Sequence, residues 1–269
     1  MLSQEQYQHF QTFGFIVLRQ VFTPDELATI DREFEAGLNA AHAENPFDGT
    51  ERHFAILTGA ETPFFAHLPE DPRFYQIAEQ LYGENCFAMT SDANRYVGDS
   101  RWHPDHNIDA TKDCYGIKFA YYLDPVDAET GALRVIPGSH KDPLHSNIEE
   151  KIKTLGLDIR DLPAYVCTSD PGDLVAFDVR LWHASCGGRT GRRMCTVVTT
   201  RIPAIPAKNP VCAHVLPAVS RQLHPDPSST RTGLPTSKKV PNARAGSTGC
   251  TTGVSWKRTE PRPASESTF

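Results

Sequence analysis

Residues 101–106 read Arg101-Trp102-His103-Pro104-Asp105-His106, and the fold turns on how this stretch is taken. On an extended backbone residues i and i+2 face the same side, so His103 and Asp105 can be delivered together from one strand end without a special turn. A third ligand has to come from elsewhere, and the best candidate is His183, in Leu181-Trp182-His183-Ala184-Ser185. His103, Asp105 and His183 would make a two-histidine, one-carboxylate set that leaves three positions of a metal open, the arrangement typical of non-heme Fe(II) oxygenases. His-x-Asp recurs by chance, so its weight rests on what surrounds it.

Working outward, the hydrophobic period after Gly83 is two. Strands are predicted over 86–91, 93–98, 116–123, 132–136, 164–168, 173–178 and 194–202, separated by Gly, Pro and Asp turns, which is the spacing of an all-β sandwich or barrel. One helix interrupts them, from Asn147 to about Leu155, with Gly156 as its stop. Before Gly83 the pattern is mostly helical. Tyr7, Phe10 and Phe13 suggest a short helix over 3–13, ended by Gly14 and followed by a strand over 15–19. Thr23-Pro24-Asp25-Glu26 is a helix start with a capping box and Pro at the first helical position; the helix runs to about Ala43, with Leu27, Ile30, Phe34 and Leu38 facing inward. A loop with Asn45-Pro46 and Asp48-Gly49 follows. Asp71-Pro72 opens another helix, with Phe74, Ile77, Ala78 and Leu81 on one side and Gly83 as its stop. The predicted architecture is mainly β, a jelly roll with two helices packed against one face.

The chain has 269 residues, 39% hydrophobic and 22% charged, enough for one large domain or one domain plus an extension. Its seven cysteines are odd in number and contain no C-x-x-C pair, which argues against a disulfide framework and a structural zinc site. No run approaches a membrane span and the N-terminus lacks a signal-peptide pattern, so a cytoplasmic location is the default expectation, with no membrane partner. From Pro203 onward there are nine basic and three acidic residues, against 18 and 30 before it. An acidic body does not suggest nucleic-acid binding. All eight tyrosines lie before this point and ten of the 21 prolines after it. The expected organisation is therefore a domain over 1–206 and a disordered or irregular tail over 207–269.

Taken in order, Trp102-His103-Pro104-Asp105, Ile117 to Asp124 (IKFAYYLD), Thr130 to His140 (TGALRVIPGSH), Gly172 to Asp178 (GDLVAFD), Trp182-His183-Ala184-Ser185 and Arg192-Arg193 resemble the phytanoyl-CoA dioxygenase family over roughly Gln6 to Ile202. The resemblance implies a double-stranded β-helix, the cupin-like jelly roll. It also implies Fe(II) on His103, Asp105 and His183, with 2-oxoglutarate and O2 as co-substrates, decarboxylation to succinate and CO2, and hydroxylation of a small molecule. The family is broad, so the substrate is not implied. Asp105 speaks against a halogenase, whose relatives replace the carboxylate by a small residue. An alternative is a cupin-like metal- or small-molecule-binding module without turnover.

By the same resemblance, the far carboxylate of 2-oxoglutarate is held by an arginine on the strand after the distal histidine. Arg192 and Arg193 are both available there, and a bidentate arginine suits a carboxylate; Arg192, the first of the pair, is favoured, with Ser185 assisting. Lys118 is a further candidate, since a lysine inside the apolar run 117–123 is costly unless paired and some JmjC-type relatives anchor 2-oxoglutarate there. His106 reads as a pocket-lip residue and His140 as a turn group. Trp102 and Trp182 should pack away from the ligands, and Asn94, Tyr96 and Arg180 are weaker candidates for the pocket.

Overall fold

A computed structural model of the protein describes residues 1–84, 86–106, 108 and 115–201. The chain opens with α1 (Gln4–Phe13), β1 (Phe15–Leu18), α2 (Pro24–Ala41), β2 (His53–Ile56), α3 (Pro63–His67) and α4 (Pro72–Tyr82). There follow β3 (Cys86–Tyr96), β4 (Ser100–His103), β5 (Tyr115–Tyr122), β6 (Leu133–Val135), α5 (Leu144–Leu155), β7 (Tyr165–Cys167), β8 (Leu174–Asp178), β9 (His183–Ser185) and β10 (Arg192–Arg201). The strands form two sheets, one of six in the order β1-β8-β5-β10-β3-β2 and one of four in the order β4-β9-β6-β7. Every neighbouring pair is antiparallel. From β3 to β10 the chain passes repeatedly from one sheet to the other, the winding of a double-stranded β-helix.

The period of two sorts each strand of the large sheet into two faces. Its outer face presents Ala93, Ile117, Phe119, Tyr121, Ala176 and Val197 to the helices, which bury Phe10, Ile30, Phe34, Leu38, Phe65 and Phe74 against them. Four helices, α1 to α4, cover this face, where two were expected; α3 was missed because its five residues are too few to show a period. The inner face presents Phe15, Ala120, Tyr122, Val175, Phe177 and Met194 toward Leu133 and Val135 of the small sheet. The helix α5 lies on the far side of the small sheet, where Ile148 and Ile152 pack on Trp102, Trp182 and Ala184.

Two differences from the sequence reading have physical causes. The strands expected at 86–91 and 93–98 are one strand, β3. Its polar run Ser91-Asp92-Ala93-Asn94 looks like a turn but is buried, because Thr196 Oγ1 and Asn94 Nδ2 each donate to the Asp92 carboxylate at 2.7 Å. β2 lies in the stretch expected to be a loop; its pairing with β3 is long-range and leaves no local signal. The expected domain boundary near residue 206 and the tail at 207–269 lie outside the described residues. Among the described residues no helix is long and apolar enough to cross a membrane, and the cysteines Cys86, Cys167, Cys186 and Cys195 are unpaired.

Candidate active site

β4 and β9 pair so that His103 lies directly opposite His183. Cross-strand partners share a face, so both imidazoles point into the space between the sheets, with ring centroids 4.3 Å apart. Asp105 follows two residues beyond His103, and its Oδ1 is 3.9 Å from His183 Nε2. One donor atom from each of the three residues can be chosen so that all lie within 4.8 Å of one another.

Each histidine is held in one tautomer by its own backbone. The Nδ1 of His103 lies 2.7 Å from the Arg101 carbonyl and that of His183 2.8 Å from the Leu181 carbonyl. A carbonyl can only accept, so Nδ1 carries the proton and Nε2 keeps its lone pair, as a ligating imidazole requires. His183 is also held neutral: burial pushes it down to about 4, against the opposing pull of Asp105. The Asp105 carboxylate is subject to burial, which would raise it, but His183 and Lys118 outweigh that and hold it below the ordinary value. Two imidazoles presenting Nε2 and an ionised carboxylate fit Fe(II).

The triad opens into a cavity of about 180 Å³ between the sheets, walled by Tyr96, Tyr122, Leu133, Phe177 and Met194. Arg192, the first residue of β10, enters this cavity and is 3% exposed. Its Nη2 donates to Ser185 Oγ at 3.0 Å, while Nε and Nη1 are buried with no hydrogen-bond partner among the described residues. A buried guanidinium with two free donors fits a carboxylate brought by a ligand. Room for it comes from glycine: a Cβ added to Gly188 would lie 1.5 Å from Arg192 Nη1, and one on Gly131 1.8 Å away. A wider cleft of about 590 Å³ between α1, β1 and Tyr165 holds none of these residues.

The other expected residues divide. Arg193 faces the opposite way from Arg192, toward α2, pairing with Asp124 at 2.8 Å and Asp31 at 2.5 Å. Lys118 points inward and sets its ammonium 3.1 and 3.2 Å from the two Asp105 oxygens, so it is engaged at the metal-ligand end. Its partner on β10 is Val198, six residues along the strand from Arg192, about 20 Å of extended backbone. Tyr96 lines the cavity. Asn94 is buried beside it and accepts from Arg52, while Arg180 is tied to Asp178 elsewhere. Trp102 and Trp182 pack on α5, as their positions before the ligands predicted. Sequence reasoning missed Arg52, which lines the cavity from the residue before β2; nothing in its local sequence marks it.

This geometry defines a class, the 2-oxoglutarate-dependent non-heme iron dioxygenases. The chain matches the phytanoyl-CoA dioxygenase (PhyH) family over residues 10–195 and belongs to that family. An ectoine dioxygenase from Sphingopyxis alaskensis is 26% identical over 220 residues, 70% of this chain and 72% of that one. An ectoine dioxygenase from Bordetella bronchiseptica is 25% identical over 154 residues, 52% of this chain and half the length of the relative. Among solved structures, HygX from Streptomyces hygroscopicus with nickel and 2-oxoglutarate bound is similar with a TM-score of 0.63 at 21% identity, covering 76% of this chain and 88% of that one. EctD from S. alaskensis with 2-oxoglutarate and 5-hydroxyectoine is similar with a TM-score of 0.56 at 24% identity, covering 75% and 77%. These structural likenesses place the fold.

Proposed function

We propose that His103, Asp105 and His183 hold Fe(II), that Arg192 and Ser185 receive the far carboxylate of 2-oxoglutarate, and that the protein hydroxylates a small molecule with release of succinate and CO2. The observation that carries this reading is Arg192, a buried cation with two donors left free at a cavity whose other end gathers three metal-type ligands. Iron at that site, when bound, supplies the redox chemistry that couples 2-oxoglutarate decarboxylation to oxidation of a second substrate. The chain's own residues do the rest. The Nδ1 bonds to Arg101 and Leu181 fix the imidazoles before a metal arrives, so little reorganisation is needed on binding. Lys118 balances the Asp105 charge and holds its carboxylate in place. Ser185 orients the Arg192 fork, and the guanidinium packs over the Tyr96 ring and is buried from water, which strengthens its hold on a carboxylate.

The likeness to ectoine dioxygenases supports a small polar substrate, without naming it. The unpaired cysteines support a reducing, cytoplasmic setting. The test is calorimetric titration of 2-oxoglutarate into protein loaded with Mn(II). Binding should require the metal and weaken strongly in Arg192→Ala; metal-independent binding, or an unaltered variant, would contradict the reading.

A further inference from the structure

Three cations line the cavity: Arg192, Lys118 and Arg52. On the reading above, Arg192 serves the co-substrate, and Lys118 is paired with Asp105. Arg52 is different. Its side chain is fixed without being neutralised. Nε and Nη2 both donate to Asn94 Oδ1, Nε at 3.1 Å, which leaves Nη1 facing outward, and its Cζ lies 4.4 Å from the Tyr96 ring centroid. Asn94 is itself held by its bond to Asp92. Among the described residues Arg52 makes no ion pair, which it shares with exposed arginines such as Arg32 and Arg160; what sets it apart is that it lines the cavity. It is also exposed, so it stands at the mouth of the cavity. Arg192 packs on the same aromatic ring, its Cζ 5.0 Å from the Tyr96 centroid.

The geometry points to Arg52 as a specificity-determining residue that receives an anionic group, a carboxylate or a phosphate, on the primary substrate. This inference rests on the reading of Arg192 as the co-substrate anchor. A guanidinium held through Nε and Nη2 on a neutral amide and over an aromatic face keeps its Nη1 donors and its full charge for a ligand. Iron and 2-oxoglutarate bring equal and opposite charges, so loading the site leaves the cation at the mouth unmatched.

The test uses the full chain loaded with Mn(II) and saturated with 2-oxoglutarate. Benzoate, phenyl phosphate and neutral benzamide are titrated in turn, and proton line broadening by the manganese is read for each probe. Benzoate or phenyl phosphate should be broadened and benzamide not; which of the two anions responds at lower concentration tells carboxylate from phosphate. Raising 2-oxoglutarate tenfold should leave the effect unchanged. Arg52→Gln should weaken the anion's apparent affinity by tenfold or more, Arg52→Lys by less, and neither should change the 2-oxoglutarate dissociation constant. Broadening of no probe, equal broadening by benzamide, loss of the effect at high 2-oxoglutarate, or an Arg52→Gln titration matching the wild type would overturn the inference. A weaker 2-oxoglutarate constant in Arg52→Gln would overturn it too, by assigning Arg52 to the co-substrate. Failure of 2-oxoglutarate to bind the manganese-loaded wild type is a separate outcome that sinks the parent reading.

Discussion

Arg192 and Arg193 are neighbours in sequence with opposite surroundings. Arg192 sits in the cavity with two unpartnered donors, and Arg193 is bound to Asp31 and Asp124 beneath α2. Removing one partner of a buried, hydrogen-bonded charge pair costs about 2–5 kcal/mol. Arg192→Ala should therefore raise the KM for 2-oxoglutarate by at least about thirtyfold, since each 1.4 kcal/mol is tenfold. Arg193→Ala should leave that KM unchanged and lower stability by about 1 kcal/mol, because its partners are half-exposed; steady-state kinetics and urea unfolding check the pair. Gly188→Ala should reproduce the Arg192→Ala kinetics without touching the arginine, because its methyl would occupy the space of Nη1; an unchanged KM would show that the guanidinium can move aside. Alternation on a strand requires that only one of the two arginines face inward, because the cavity face and the helix face differ by one residue of register, but it does not say which. Arg52 could not be found that way. Its place depends on β2 pairing with β3, a contact between segments about 40 residues apart.

Among the elements, the best-determined from sequence were the helices with capping signals and the strands with a clean period of two. The box at the start of α2 is present: Thr23 Oγ1 accepts from the Glu26 backbone and Glu26 Oε2 from that of Thr23. Glu26 also receives Arg73 of α4, so the cap ties two helices together. Thr23→Ala should cost about 1 kcal/mol in urea unfolding. A second element-level device is the junction of α1 and β1. Gly14 has φ of 81°, and a Cβ there would lie 2.4 Å from His140 Nδ1, so the turn at residues 137–140 closes directly on this glycine. Burial pushes His140 down to about 4, with Asp178 opposing only in part. A folded pKa below the ordinary 6.5 means that the unfolded chain takes up the proton first as pH falls. The His140 contribution is thus complete above about pH 6.5 and is lost as pH drops toward 4, up to about 3 kcal/mol at 1.36 kcal/mol per unit. Because His183 falls in the same window, the difference between proteins is the readout: stability of His140→Gln should decline less steeply between pH 7 and 4.5 than that of the wild type. Parallel curves would contradict this.

At the scale of the whole molecule, the two sheets do what no single segment can. They bring residues from β4, β9 and β10 to one cavity although Arg192 lies 89 residues beyond His103 in the chain. The jelly roll was legible in the spacing of short strands, and the two-histidine, one-carboxylate pattern in a handful of residues. The close approach of Gly131 and Gly188 to Arg192, and the buried Asp92 network, were not, because they are consequences of packing rather than of pattern. The central claim is that these residues make an iron-dependent, 2-oxoglutarate-consuming centre. Its most direct test is succinate release by the purified full chain under air, with and without added Fe(II), beside His183→Ala at matched folding by circular dichroism. The wild type should release succinate only with iron and 2-oxoglutarate together, and His183→Ala should fall to the level of the protein-free control. Iron-independent release, no release by the iron-loaded wild type, or release by His183→Ala at the wild-type rate would contradict it.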